Sequence, residues 1–276
     1  MLVLIVAIAI GLWLTMISAW AFQRWVGNPG WVDVFWTFGT GIAGVVAALY
    51  PVAAHEWPTE RQLLVALLVA AWSLRLGLYM AIRVGTSPED ARYVELREEW
   101  GAGFERRMFL FMQNQGIGSI LFPLSILIAA RNPAPGLRLA DWLGAAMVAL
   151  AIAGESLADR QMRRFKAAPD NAAKVCDVGL WSWSRHPNYF FEWLGWFAYP
   201  VIAVDLTGAY PWGVLALAAP ALMYWVLNHG TGIPYLERHM ARSRGEAWRS
   251  YQRRTSAFLL CPPTRPITTR TARRPF

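Results

Sequence analysis

The sequence predicts an all-α, polytopic integral membrane protein with about seven transmembrane helices. Of its 276 residues, 56% are hydrophobic and only 16% are charged, whereas charged residues make up about a quarter of a typical soluble domain. The mean hydropathy is +0.30. The chain also contains 16 tryptophans, a residue enriched where a membrane meets water. These observations exclude an ordinary soluble domain.

Seven apolar stretches approach the roughly 20 residues that an α-helix needs to cross a bilayer. The sixth is short and contains Pro200. The first lacks the basic residues of a signal peptide and is expected to be a retained helix, with a signal peptide cleaved near Ala21 as the alternative. The stretches are Leu2–Phe22, Val34–Tyr50, Leu63–Ile82, Met108–Ala130, Leu139–Leu157, Tyr189–Val204 and Trp212–Leu227.

The distribution of basic residues predicts the orientation in the membrane. With seven helices, 22 of the 26 Lys and Arg residues lie on the side of the C-terminus, and only Arg61, Arg131 and Arg138 lie on the other side. Positive residues favour the cytoplasm, so we expect the N-terminus outside and the C-terminus inside, in a bacterial inner membrane. The net charge of +8 then reflects orientation and anionic lipid, and no nucleic-acid partner is expected.

Outside the apolar stretches, two segments are predicted to be solvated helices on the cytoplasmic face. They are Arg83–Arg107, which mixes both charge signs, and Pro234–Tyr251. Residues 1–130 are expected to enclose a substrate, residues 131–258 to hold a cofactor in the same membrane domain, and residues 259–276 to form a flexible basic tail. Cys176 and Cys261 are predicted to be cytoplasmic, so no disulfide is expected. No metal site is expected either.

The segment from Gly154 to Trp196 carries the candidate functional residues. Glu155 and Asp159 are four residues apart, as are Asn188 and Glu192, so each pair shares one helix face. Carboxylates suit ribose hydroxyls and basic side chains suit phosphate. The pattern therefore predicts a nucleotide site, with its basic residues between the two pairs: Arg160, Arg163, Arg164, Lys166, Arg185 and His186.

Several of the polar residues at membrane depth also have purely structural interpretations. Asp33 could cap the second helix or pair with Arg24. Arg75 is expected to have a carboxylate partner such as Asp33 or Glu95. The amides of residues 113–115 could link helices by hydrogen bonds. A basic run beside a span, taken alone, usually sets only the orientation.

The turn Ser184-Arg185-His186-Pro187-Asn188-Tyr189, followed by Glu192-Trp193 and Gly195-Trp196, resembles the C-terminal domain of the steroid 5α-reductase family. More closely, the chain is similar to the bacterial branch known as DUF1295. The resemblance implies an enzyme that uses NADPH to reduce a carbon–carbon double bond conjugated to a ketone in a steroid-like lipid. It also implies that the first four helices enclose the substrate and that the last three hold the cofactor.

The resemblance assigns roles to individual residues. Asp33 falls near the family's ketone-binding glutamate and Trp72 near its tyrosine partner, with Tyr79 as a substitute for the latter. Asp33 would then stabilise the enolate oxygen as a protonated acid. Cofactor contacts are implied at Glu155, Asp159, Arg163, Lys166, Asn188, Glu192 and Tyr235. The basic run, the turn and the tail motif add Arg164, Arg185, His186, Tyr189, Arg253 and Arg254 as candidate cofactor-binding residues.

Two other functions remain open at this point. Isoprenylcysteine and phospholipid methyltransferases of similar membrane architecture also carry an Arg-His-Pro-x-Tyr turn, so an S-adenosylmethionine-dependent lipid methyltransferase is the alternative. A non-catalytic protein that binds lipid or another ligand is the third possibility. For the reductase, the expected partners are a hydrophobic small molecule and membrane lipid, and a monomer is expected.

Overall fold

A computed structural model describes residues 1–51, 57–87 and 89–263. Most of the predicted basic tail, from residue 264 on, lies outside these residues. The described secondary structure is helical apart from one isolated bridge between Ser184 and Ser256. The helices are α1 (Leu2–Val26), α2 (Trp31–Leu49), α3 (Glu60–Thr86), α4 (Ala91–Trp100), α5 (Phe104–Ser119), α6 (Leu121–Ala130), α7 (Leu139–Ala167), α8 (Pro187–Trp196), α9 (Ala198–Ala203), α10 (Ala218–His229) and α11 (Ile233–Arg254).

Six helical segments of the described chain are long and apolar enough to cross a membrane. They are Leu2–Val26, Trp31–Leu49, Glu60–Thr86, Arg92–Ala130, Leu139–Ala167 and Pro211–Arg254. The prediction of an all-helical chain with several membrane-crossing helices is therefore confirmed.

The predicted sixth stretch does not form one long helix. It is divided at Phe197 into α8 and α9, because Pro200 has no N–H to bond the carbonyl four residues earlier. The predicted seventh stretch begins as a 3-10 turn, Pro211–Leu217, before α10. The predicted fourth stretch is likewise divided, at Ile120 between α5 and α6.

Helices α2 and α3 pack closely because small residues line their contact. A side chain on Gly44 would collide with Ile126 and Val69, and the Ser73 hydroxyl donates to the Thr37 carbonyl at 3.1 Å. At the cytoplasmic end the Asn28 amide donates to the Val84 carbonyl at 3.4 Å. These contacts fix the two helices antiparallel, so the start of α2 is level with the end of α3.

The core joins the two halves of the sequence through a chain of aromatic rings. The ring centroids of Trp36 and Trp72 are 6.1 Å apart, those of Trp72 and Trp196 are 4.9 Å apart, and those of Phe122 and Trp196 are 4.4 Å apart. All four rings belong to one buried cluster that also contains Tyr199. Residues before and after position 130 therefore share one core.

The end of the bundle that is predicted to face the cytoplasm is covered by α4 and α11. Helix α4 forms the middle of the predicted solvated segment Arg83–Arg107, whose ends belong to α3 and α5, and α11 contains the predicted helix Pro234–Tyr251. Asp90 caps α4 by accepting from the Arg92 backbone N–H at 3.0 Å. Glu95 of α4 lies 3.0 Å from Arg242 of α11. Helix α11 bends at Gly245, whose φ of 53° suits glycine. Together α4 and α11 close this end over α2 and α5.

Candidate functional site

Arg75 lies at the centre of the candidate site. Its Nη1 atom is 2.5 Å from Glu155 Oε2 and its Nη2 atom is 2.5 Å from Asp159 Oδ2. Its Nε donates to the Ser156 hydroxyl at 3.0 Å. The predicted pairing of Glu155 with Asp159 on one helix face is thus confirmed. The predicted partners of Arg75, Asp33 and Glu95, are wrong because both are engaged by arginines nearer the cytoplasm.

Glu192 is buried and held by two tryptophans. The Trp72 indole donates to Glu192 Oε2 and the Trp196 indole donates to Oε1, each at 2.9 Å. Trp196 is four residues beyond Glu192, so helical spacing could have revealed this contact. Asn188, one turn before Glu192, is half-buried and makes no side-chain hydrogen bond within the described residues.

Glu155 and Glu192 line one cleft between α3, α7, α8 and α9. Its empty volume is about 300 Å³, part of it open to the surroundings. The remaining lining is apolar and aromatic, with small residues on α7. The lining residues are Trp72, Val148, Ala151, Ile152, Glu155, Phe191, Glu192, Gly195, Trp196 and Tyr199.

The basic run forms an exposed positive patch at the C-terminal end of α7. Arg163, Arg164 and Lys166 are exposed, and none of them forms an ion pair with another described residue. Lys166 follows Asp159 by seven residues, which is about 10 Å along a helix. The Tyr79 ring lies between the two regions, with its centroid 5.4 Å from the guanidinium carbons of both Arg75 and Arg163.

Arg185 and His186 lie beside this patch but are engaged within the fold. Arg185 Nε donates to Glu237 Oε1 at 2.6 Å and its Nη1 donates to the Thr255 carbonyl at 2.6 Å. His186 Nε2 is 3.4 Å from Glu237 Oε1, and its ring stacks on Tyr189. Burial lowers the pKa of His186, although Glu237 acts in the opposite direction. A phosphate role for either side chain would require these contacts to break.

The predicted tail residues also form ion pairs within the fold. Arg253 pairs with Glu246 inside α11 at 2.7 Å, and Arg254 joins α11 to Asp177 at 2.5 Å. Tyr235 packs beneath the guanidinium of Arg238.

Asp33 lies in a different cluster, at the rim of the bundle where α2 begins. Arg92 Nη2 donates to Asp33 Oδ2 at 2.5 Å, and the Tyr93 hydroxyl donates to Oδ1 at 3.2 Å. The predicted pairing of Asp33 with Arg24 is wrong, since Arg24 lies 3.6 Å from Glu105. This arginine partner on α4 could not be found from local spacing, because 59 residues separate it from Asp33.

The structure does not bring Asp33 and Trp72 together. Asp33 lines a small pocket with Met80 and Arg83 of α3. Trp72 precedes those residues by 8 and 11 positions, which is about 12 to 16 Å along the helix. The described structure shows no contact between these two side chains, and their clamp on one ketone oxygen stays a prediction. Tyr79 and Trp72 lie instead on the side of α3 that carries Arg75.

Within the described residues, no group of three or more His, Cys, Asp or Glu side chains could hold a metal ion. Cys176 is buried and Cys261 is exposed, both as free thiols. Burial raises the pKa of Cys176 to about 11, so this thiol is inert at neutral pH.

Comparison with known proteins gives a family. No curated protein and no solved structure matches the chain. The family model described as "Protein of unknown function (DUF1295)" matches residues 19–255. That range extends from the second half of α1 to the end of α11 and includes every residue of the site. The chain therefore belongs to the DUF1295 family.

Proposed function

We propose that this protein is an NADPH-dependent reductase of a carbon–carbon double bond conjugated to a ketone in a steroid-like lipid. One observation supports this function above others. A buried group of three carboxyls and one arginine lies beside an apolar cleft that Glu155 and Glu192 line, and an exposed basic patch lies about 10 Å away along α7. Membership of the DUF1295 family agrees with the proposed reductase activity, because the family includes steroid 5α-reductase-like proteins.

The residues present fit a phosphorylated dinucleotide. Arg163, Arg164 and Lys166 are exposed and free to contact phosphate oxygens, including a 2′-phosphate. Glu155 and Asp159 offer acceptor oxygens for hydroxyl or carboxamide groups. Arg75 keeps these two carboxylates in place and offsets their charge, which would otherwise repel an anionic cofactor.

When bound, NADPH supplies the hydride that adds to the β-carbon of the enone. Charge then develops on the ketone oxygen, and the Trp72 indole can stabilise that charge by turning its single N–H from Glu192 Oε2 to the ketone oxygen. Glu192 has two neutral indole partners, whereas Glu155 and Asp159 are both paired with Arg75. Glu192 is therefore the carboxyl placed to carry the proton that the α-carbon takes up.

The apolar lining of the cleft supports a lipid substrate. Phe191, Trp196 and Tyr199 offer flat aromatic surfaces, and Ala151 packs against Gly195 where α7 meets α8. A fused-ring ketone presents matching flat apolar faces and a single polar end. Water excluded from such a cleft strengthens the hydrogen bond to the developing charge.

The test is a binding titration of detergent-purified protein with NADPH, NADH and S-adenosylmethionine. We expect NADPH to bind more tightly than NADH, and Arg164→Gln to reduce that preference about tenfold. The control is Arg106→Gln, which also removes one positive charge, at an exposed position of α5. Binding of S-adenosylmethionine without NADPH would identify a methyltransferase, whose sulfonium group the carboxylates could equally accept.

We further propose that the chain crosses a bacterial inner membrane seven times, with its N-terminus outside. The segment from Pro187 to Ala203 is helical except at Phe197 and is just long enough to cross. In the proposed topology, with most basic residues on the inner side, Thr207 lies outside and Cys261 lies inside. A membrane-impermeant maleimide should label Thr207→Cys in intact cells and Cys261 only after permeabilisation. The reverse pattern would overturn this topology.

A further inference from the structure

The contact between α1 and α5 forms a long seam that shares no residue with the cleft. At its cytoplasmic end Arg24 lies 3.6 Å from Glu105. One turn deeper, the ring centroids of Trp20 and Phe109 are 5.2 Å apart. Deeper still, Gly116 is so close to α1 that an added side chain would meet Met16 at 3.0 Å. The seam extends over 11 residues of α5, about 16 Å.

Buried polar groups without partners line this seam. Gln113 is 9% exposed and Gln23 is 2% exposed. Within the described structure, neither amide atom of Gln113 has a hydrogen-bond partner, nor do the Gln23 side-chain nitrogen and the Trp20 indole nitrogen. Gln113 follows Phe109 by four residues and precedes Gly116 by three, so it lies on the face of α5 that contacts α1.

Burying these amides without partners lowers the stability of the folded bundle. A buried amide with no partner loses its hydrogen bonds to water and gains nothing in return. Buried polar side chains in native proteins nearly always have a partner. Leucine or methionine at positions 23 and 113 would pack the same two helices without that loss, so the amides point to a group that arrives from outside the chain.

The chemistry of the unpaired atoms defines that group. Among the buried atoms of the seam that have no partner, the side-chain nitrogens of Gln113, Gln23 and Trp20 are donors and the Gln113 oxygen is an acceptor. The arginine that borders the seam, Arg24, is already paired with Glu105. The seam therefore suits an uncharged group rich in acceptor oxygens, such as a ketone or an ester.

We propose that the α1–α5 seam is a binding site for the carbonyl oxygens of a lipid, separate from the cleft at Glu155 and Glu192. Two sources have the required chemistry. One is a second ketone of a steroid-like molecule, and the other is the ester region of a membrane lipid. The open face of α1, which carries Ile10, Trp13 and Leu14, lets either one reach the seam from the bilayer.

Two matched pairs of probes distinguish the sources. The first pair is androst-4-ene-3,17-dione and androst-4-en-3-one, which differ by one carbonyl. The second pair is dioleoyl phosphatidylcholine and its dioleyl ether analogue, which lacks the ester carbonyls. Thermal stabilisation of delipidated protein in detergent is measured as a function of each probe's concentration, without NADPH, so the result does not depend on the proposed reductase activity.

We expect wild-type protein to bind the carbonyl-rich member of one pair about tenfold more tightly. Gln113→Met should remove that difference and raise the melting temperature of ligand-free protein, because an unpaired polar group is lost. Asn114→Met, at an exposed neighbouring position, should preserve the difference. A difference in affinity within the steroid pair identifies a steroid ketone as the ligand, and a difference within the lipid pair identifies a lipid ester.

Other outcomes would overturn the proposal. If wild-type protein distinguishes neither pair, the amides are satisfied by water or by contacts between the helices. The same conclusion follows if Gln113→Met lowers the melting temperature and leaves the discrimination intact.

Discussion

Arg75 is the single cation that compensates the buried carboxyls of the cleft. Its guanidinium lies 2.5 Å from both Glu155 and Asp159, and its side chain is 15% exposed. Arginine suits this position because its planar fork presents separate nitrogens to two carboxylates. A lysine would offer one point charge and could not bridge both groups with the same geometry.

Replacing Arg75 by methionine should therefore lower stability by about 3–5 kcal/mol, the usual cost of leaving buried charge unpaired. Thermal unfolding in detergent measures this loss. The triple variant that also carries Glu155→Gln and Asp159→Asn should recover most of it, because no carboxylate is then left without a partner. A triple variant as unstable as Arg75→Met would show that packing, not charge, is lost.

The two tryptophans around Glu192 should differ in their effect on the reaction. Trp72→Phe and Trp196→Phe each remove one indole N–H from Glu192, a loss of about 1–3 kcal/mol in stability. Only Trp72 is proposed to donate to the substrate oxygen, so Trp72→Phe should lower kcat for enone reduction by about tenfold or more. Equal kcat values in the two variants would contradict this role.

At the residue scale, sequence spacing located the carboxylates of α7 and α8 but not their partners. The pairs Glu155 with Asp159 and Asn188 with Glu192 follow directly from the helical repeat. The ion pair of Asp33 with Arg92 does not, because it depends on where α4 folds back against α2. Resemblance placed Asp33 beside the substrate ketone, whereas the register of α2 on α3 places it at the rim.

Among the elements, α4 is joined to the end of α3 by Asp90. Asp90 lies 2.6 Å from Arg83 of α3 and 3.0 Å from Arg92 of α4. Burial alone would raise the pKa of Asp90, but the two guanidinium groups and their hydrogen bonds hold it well below its ordinary value of 3.8. The charged carboxylate therefore stabilises the fold wherever it would also be ionised in the unfolded chain.

Because the pKa of Asp90 is depressed, its contribution is complete above its ordinary value and is lost as the pH falls toward the folded-state pKa. Asp90→Asn should lower the melting temperature at pH 7, and the gap from wild type should narrow below about pH 4. Melting curves from pH 8 to pH 3 test this. A gap that is unchanged over the whole range would show that Asp90 acts only as a neutral helix cap.

Element positions were predicted better than element continuity. Apolar length located the membrane helices, because burying roughly 20 apolar residues is itself the driving force. The interruptions at Ile120 and Phe197 were not predicted. A chain that bends inside a bundle can satisfy its backbone with neighbouring groups, so hydropathy alone carries no signal of the break.

Across the whole molecule, the two ends of the bundle are built differently. On the side opposite the basic patch, Arg61 donates to Asp141 at 2.8 and 2.9 Å. It also donates to the carbonyls of Asn132, Ala134 and Gly136 at 2.6 to 2.7 Å. The end that carries the basic patch is closed instead by the half-exposed contacts of α4 and α11. We therefore expect the proposed cofactor to enter at that end while the other end stays fixed.

Because the two ends of the bundle are built differently, a substitution at the Arg61 end should change stability without changing NADPH binding. Arg61→Met should lower stability by about 3–5 kcal/mol, because Asp141 is fully buried and would keep only Arg138, whose Nε lies 3.6 Å away. The Kd for NADPH should stay within about twofold of wild type, since additivity holds for distant sites. Arg61→Met combined with Asp141→Leu should regain most of the lost melting temperature. If Arg61→Met weakened NADPH binding as much as Arg164→Gln does, the two ends would be coupled, and the fixed end could not be treated as a passive support.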